Sequence, residues 1–187
     1  MMIGEATFAD PESLAVFLPP RAQRAAFLIE SERYTPLLEG VGIAPLLSAD
    51  PSDHPLILVR GAQYYATSLY DFVSLFQRTR GDKVLEITGY DDVCLSLTSD
   101  KERKHYYLRG VNLTRHPLTD RVRVTGKRQS VKRVTGVRFT PEPPTTTTDL
   151  TRYYSYVRTE EEFSLPLKKA FDLTLEPYQV VLLDFSE

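Results

Sequence analysis

The sequence predicts an α+β protein in two parts. A small N-terminal α/β portion of helices and short parallel strands spans residues 1 to 90, and an antiparallel, β-sandwich-like portion spans residues 91 to 187. Three observations carry this expectation. Residues 55 to 89 read as strand, helix, strand. Beyond Gly89 the apolar period becomes two, Val93, Leu95 and Leu97 alternating with Cys94, Ser96 and Thr98. A Pro/Thr-rich loop at residues 140 to 149 then interrupts the strands, because Pro141, Pro143, Pro144 and the threonines at 145 to 148 offer little to bury.

The first helical pattern covers residues 9 to 18, with Asp10 as cap and Pro11 at the first helical position, and is stopped by Pro19 and Pro20. A second runs from Arg21 towards Gly40, divided or kinked at Pro36, where a proline removes a backbone donor. Residues 43 to 47 suggest a short strand before the turn-rich SADPSDHP. Leu56, Ile57, Leu58 and Val59 form a strand buried on both faces and closed by Gly61. The next helix takes Ser68 as its cap with Asp71 three residues on, shows one stripe of Leu69, Phe72, Val73 and Phe76, and stops at Gly81. With the extended pattern from Lys83 to Thr88, this unit is expected to close as a right-handed crossover between parallel strands.

In the second part, residues 93 to 99 read as a half-buried strand, with a hairpin tip at residues 100 to 104. The partner strand is HYYLRGVNLT, where Gly110 suggests a bulge. Val122 and Val124, then Val137 and Phe139, are inward residues of two further strands with arginines and lysines facing out. TRYYSYVRTEEEFSL and FDLTLEPYQVVLLDF supply the rest, and residues 178 to 185 are apolar on both faces, which places that strand centrally.

With 187 residues the chain can bury roughly 70% of the surface exposed when unfolded, so neither disulfides nor a metal is required for folding. The 42% apolar and 26% charged fractions are those of a soluble protein, and no apolar run approaches the roughly 18 residues of a membrane span. The N-terminus has no basic region before its apolar patch, so a cytoplasmic location is expected. A single cysteine, Cys94, excludes an internal disulfide. The net charge of −2 conceals an uneven distribution: residues 101 to 138 carry 12 basic and 2 acidic side chains, against 7 and 14 before and 4 and 9 after. This middle stretch either binds an anionic partner or lies against the acidic ends of its own chain.

No GxSxG, HExxH, CxxC, GxxxxGK[ST] or GxGxxG is present. His54, His105 and His116 are not at metal-ligand spacing, and their reading is surface or turn. Asp91 and Asp92 could act as acid and base but read more simply as a turn before a strand. Nothing basic adjoins Cys94 to activate it. Arg80, Gly81 and Asp82, and the sequon at Asn112, have no secretion signal to give them meaning. No catalytic residue, cofactor or metal is therefore assigned.

Two surfaces remain. Arg121, Arg123, Lys127, Arg128, Lys132 and Arg133, with Tyr106 and Arg109 before them, are candidates for binding nucleic acid or another polyanion on outward strand faces. Tyr153, Tyr154 and Tyr156 are candidates for a protein interface, because tyrosine gives large contact area with a polar tip.

Residues 36 to 89 resemble the glutamine-amidotransferase-like α/β domain of multidomain glycoside hydrolases of the β-galactosidase type, in which a leucine-rich helix, Gly-Ile, strand, helix and Gly-Lys-strand follow in order. Residues 84 to 114, and 171 to 185 with Pro177-Tyr178 before an apolar run, resemble the β-sandwich that closes those enzymes. The resemblance implies a non-catalytic accessory fold, since no catalytic barrel is present and Cys94 sits in no nucleophile elbow. The functional expectation is a non-catalytic protein-interaction or accessory module with a protein partner or a second copy of itself and no membrane. The alternatives are polyanion binding through residues 101 to 138 and an accessory domain of carbohydrate-processing machinery.

Overall fold

Strands apolar on both faces need cover on both faces, and that requirement organises the molecule. The fold comes from a computed structural model, which describes residues 2–3, 20–34, 40–87, 93–100, 105–123, 132–141, 156–165 and 170–186. In chain order the elements are β1 (Met2–Ile3), α1 (Pro20–Arg33), β2 (Gly40–Val41), β3 (Leu47–Ser48), β4 (Ile57–Arg60), β5 (Gln63–Ala66), α2 (Ser68–Arg78), β6 (Lys83–Leu85) and β7 (Val93–Asp100). Then come β8 (His105–Asn112), β9 (Leu118–Arg123), β10 (Arg133–Pro141), β11 (Tyr156–Ser164), β12 (Ala170–Leu175) and β13 (Val180–Ser186). This is an α+β fold with a dominant β portion.

A six-stranded sheet of order β11-β10-β13-β8-β7-β6, antiparallel at every pairing, forms the centre. One face is covered by α1 and α2. Ala22, Ala25, Leu28 and Ile29 of α1, with Leu69, Phe72 and Phe76 of α2, pack on Cys94, Val111, Phe139 and Val180. The other face is covered by the antiparallel β9–β12 ribbon, whose Leu173 and Leu175 pack with Val93, Leu95, Leu108, Val134, Val181, Leu183 and Phe185. Alternate residues of β13 thus serve two cores, and β13 lies inside the sheet, as its apolar run predicts. A three-stranded sheet, β3-β4-β5, and the parallel pair β1-β2 complete the described structure.

Several elements differ from expectation. The parallel crossover does not form. After β4 the chain reverses at Gly61, whose φ of +59° suits a two-residue hairpin turn, and β5 returns antiparallel with Ile57 opposite Ala66. Strand β6 joins the large sheet antiparallel to β7 instead. Helix α2 is present, but its cap is Thr67, whose side chain accepts from the Tyr70 amide, and not Ser68. Strand β7 is buried on both faces, not half-buried, because its polar side chains Ser96 and Thr98 lie under the helical layer. The register of β8 runs without a bulge through Gly110, which faces Leu95 and Val181 across the sheet. There a Cβ would stand 2.7 Å from Leu95 Cδ2, so glycine permits close packing. Strand β10 includes Thr140 and Pro141, which the sequence assigns to the loop at residues 140 to 149, and the rest of that loop lies outside the described residues. The helix expected at residues 9 to 18, and Pro36, Asp91, Asp92 and Val124, lie outside the described residues.

Candidate functional site

Arg109 of β8 faces the helices, and its side chain is 1% exposed. Its Nη1 stands 2.9 Å from Glu32 Oε1 at the end of α1 and donates to Thr98 Oγ1 at 3.0 Å, while Nη2 donates to the Thr79 carbonyl that follows α2. The guanidinium lies 4.3 Å from the centre of the Phe76 ring. Ser96 donates to Glu32 Oε2. Burial pushes the Glu32 carboxyl up and the Arg109 guanidinium down, and the charge of each partner is the leading opposition to both shifts. Arg109 is therefore removed from the polyanion candidates: it ties α1, the end of α2 and β7 to β8, and no solvent-borne phosphate can reach it.

The other candidates are dispersed. Arg121 and Arg123 are exposed on β9, and Lys132 and Arg133 are exposed at the start of β10. Tyr106 is half-buried against the core under the ribbon. Lys127, Arg128, Tyr153 and Tyr154 lie outside the described residues. Much of the positive charge has an acidic neighbour. Arg133 meets Glu162 at 2.8 Å, Arg138 meets Glu161 at 2.9 Å, Arg158 meets Glu160 at 2.8 Å and Arg121 meets Asp172 at 3.5 Å. The first two follow from β10 running antiparallel to the glutamate-rich β11, the third joins neighbours along β11 itself, and the fourth joins residues directly opposite on β9 and β12. Tyr156, expected at an interface, is 9% exposed, and its hydroxyl donates to the Tyr178 carbonyl. Burial raises its phenol. It belongs to the core beside α1 and α2.

The histidines fall in separate places. His54 occupies a turn at φ +49°, with its carbonyl held by Arg24 Nη1 at 3.0 Å. Burial, then Arg24 and Arg21, lower its imidazole to about 4. Between that value and the ordinary 6.5 the unfolded chain binds the extra proton, so this site contributes stability that is complete above about pH 6.5 and is lost as pH falls towards 4. Urea unfolding between pH 4 and 7 is expected to show a slope that flattens in His54→Asn, a residue that tolerates positive φ. An unchanged slope would exclude the site as its source.

His105 Nδ1 stands 2.7 Å from Asp184 Oδ1, and its ring stacks on Tyr107 at 6.0 Å. Such a carboxylate–imidazole pair can orient a base, yet no serine, threonine or cysteine side chain among the described residues bonds to this imidazole. Sequence reasoning missed the pair because its members are 79 residues apart. Among the described residues no group of three His, Cys, Asp or Glu could hold a metal.

Cys94 Sγ lies 3.3 Å from Glu30 Oε1, and burial followed by that hydrogen bond pushes its thiol up to about 12. Alkylation of native protein by iodoacetamide at pH 8 should be slower by at least about tenfold than alkylation in urea; equal rates would contradict this environment. Asn112 is fully buried, with Nδ2 donating to the carbonyls of His116, Leu175 and Glu176, so the sequon nitrogen serves the turn between β8 and β9. The Arg80-Gly81-Asp82 tripeptide is tied to β7 through Gly81 N to Thr98 Oγ1 and Asp82 N to the Ser99 carbonyl. A groove of about 310 Å³ beside β6 and β7 is lined by Arg33, Glu86 and Ser96 among aliphatic side chains. Arg33 there donates to the Leu95 carbonyl at 2.9 Å, which fills a ladder position beyond the end of β6. No helix among the described residues is long and apolar enough to cross a membrane.

No family model matches the chain, and no curated protein matches it by sequence. Solved structures do. An arabinose-bound family 51 α-L-arabinofuranosidase is similar with a TM-score of 0.72 at 15% identity, covering 91% of this chain and 28% of that one. The family 51 α-L-arabinofuranosidase of Thermotoga petrophila RKU-1 is similar at 0.69 and 14% identity, over 88% and 37%. A family 86 β-porphyranase of the human gut bacterium Bacteroides plebeius is similar at 0.62 and 14% identity, over 90% and 31%. The likeness is one of fold. This chain spans about a third of the length of these glycoside hydrolases.

Proposed function

We propose that this chain is a non-catalytic accessory module of a carbohydrate-processing enzyme. The observation that carries the reading is the pairing of coverages: nine-tenths of this chain superposes on about a third of each glycoside hydrolase, so the likeness is to a part of those enzymes. The polar groups described above support it, because Arg109, Glu32, Ser96 and Asn112 are buried and spend their hydrogen bonds holding elements together. Polyanion binding draws less support, since Arg121, Arg133, Arg138 and Arg158 each have a carboxylate partner. The narrower likeness to β-galactosidase-type enzymes rests on the strand–helix–strand order and the Pro177-Tyr178 turn before β13, and is proposed only at the level of an accessory domain.

The test is direct. Purified chain is assayed on 4-nitrophenyl α-L-arabinofuranoside, arabinan and agarose. No turnover above buffer is expected, whereas hydrolysis that disappears in His105→Asn would identify a catalytic dyad and end the non-catalytic reading.

A further inference from the structure

Strand β5 differs from the other open strand edges. Its four residues, Gln63, Tyr64, Tyr65 and Ala66, are all exposed, so neither face is covered. It is the outer strand of its sheet, paired to β4 on one side and to no other strand among the described residues. An open edge presents a row of backbone donors and acceptors that another strand can complete, and proteins commonly block such pairing with charge or brevity. The remaining edges follow that practice. Strand β11 exposes Arg158, Glu160 and Glu162, β6 begins with exposed Lys83, the β9–β12 ribbon carries Arg121, Arg123, Asp120 and Asp172, and β3 has two residues. Strand β5 carries no charge.

Its side chains are apolar in bulk. Tyr64 is 68% exposed and Tyr65 47%, and the helix that follows exposes Tyr70 at 39%. At about 200 Å² for a large side chain, the three tyrosines offer roughly 300 Å². A standard interface buries roughly 800 Å² per partner, so a pairing through the β5 edge and these rings is of less than standard size and suits a weak, reversible dimer.

We propose that β5 pairs antiparallel with β5 of a second copy of this chain, joining two three-stranded sheets into one across a twofold axis. An uncharged strand meets no like charge in its own copy, and a twofold axis through Tyr64 or Tyr65 sets that ring opposite its counterpart as a cross-strand aromatic pair. Because Tyr64 and Tyr65 are adjacent in extended chain, they point to opposite faces. A polysaccharide lying on one face would meet only one of them, whereas a second strand edge meets both. The inference stands apart from the accessory reading.

Sedimentation velocity of the purified chain across the micromolar range tests it. A concentration-dependent dimer is expected, weakened at least about tenfold by Tyr64→Lys or Tyr65→Lys and unaffected by Val157→Lys on the charged β11 edge. Circular dichroism establishes that each variant is folded, and the milder Tyr64→Ser serves if a lysine variant is not. A monomer at every concentration overturns the proposal, as does a dimer indifferent to both tyrosines. A monomer retarded in arabinan- or agarose-containing gels, with retardation lost in Tyr64→Ser, overturns it too and assigns the tyrosines to a polysaccharide.

Discussion

Arg109→Ala is expected to lower the stability of the folded chain by about 3–5 kcal/mol, because it leaves the Glu32 carboxylate buried without its counter-charge. At 2–4 °C per kcal/mol for a chain of this size, melting should fall by roughly 10 °C. Glu32→Ala should cost a similar amount, since the orphaned guanidinium is then the buried charge. The pair itself need not be strongly stabilising. Desolvation takes back much of what Coulomb attraction gives, so the double variant Arg109→Met with Glu32→Leu should recover most of the loss. Urea midpoints for the wild type, both single variants and the double variant decide this. Single variants within about 1 kcal/mol of wild type would mean that the guanidinium is solvated and the interior network is wrong.

Phe139→Ala is the second large effect, expected at about 3–5 kcal/mol. Phe139 is 2% exposed on β10 and meets the Phe72 ring edge-on at 5.8 Å, and Phe72 meets Phe76 at 5.5 Å. These rings attach α2 to the sheet, so truncation opens a cavity between layers that rigid strands cannot close. A double-mutant cycle with Phe72→Ala should return a coupling of about 0.5–1.5 kcal/mol. Zero coupling, with both single effects intact, would show that the rings occupy separate pockets.

What could be read from the residues divides along local and distant contacts. The stripe of Leu69, Phe72 and Phe76 and the two-sided apolar run of β13 are local patterns, and both elements are where those patterns place them. The turn at Gly61 was misread because a glycine closing an apolar run signals either a strand end or a hairpin, and only the pairing of Ile57 with Ala66 distinguishes them. The layer of Ser96, Thr98 and Arg109 was illegible for another reason. Alternating polar residues look solvated until a helix is known to cover them, and Glu32 lies 77 residues from Arg109. The acidic neighbours of the basic strands were foreseen in kind, as one of two readings of the charge asymmetry. Which glutamate meets which arginine depends on the β10–β11 register, which no local pattern contains.

Strand β13 lies between β8 and β10, yet it comes later in the sequence than every other strand of that sheet. During synthesis β6 to β8 and β10 to β11 therefore emerge as two unjoined halves, each with an open apolar flank, until residues 180 to 186 arrive to bridge them. Productive folding must wait for that segment, so the growing polypeptide carries its greatest aggregation hazard in the interval before residues 180 to 186 emerge, when a chaperone that shields β-edges would have most to do.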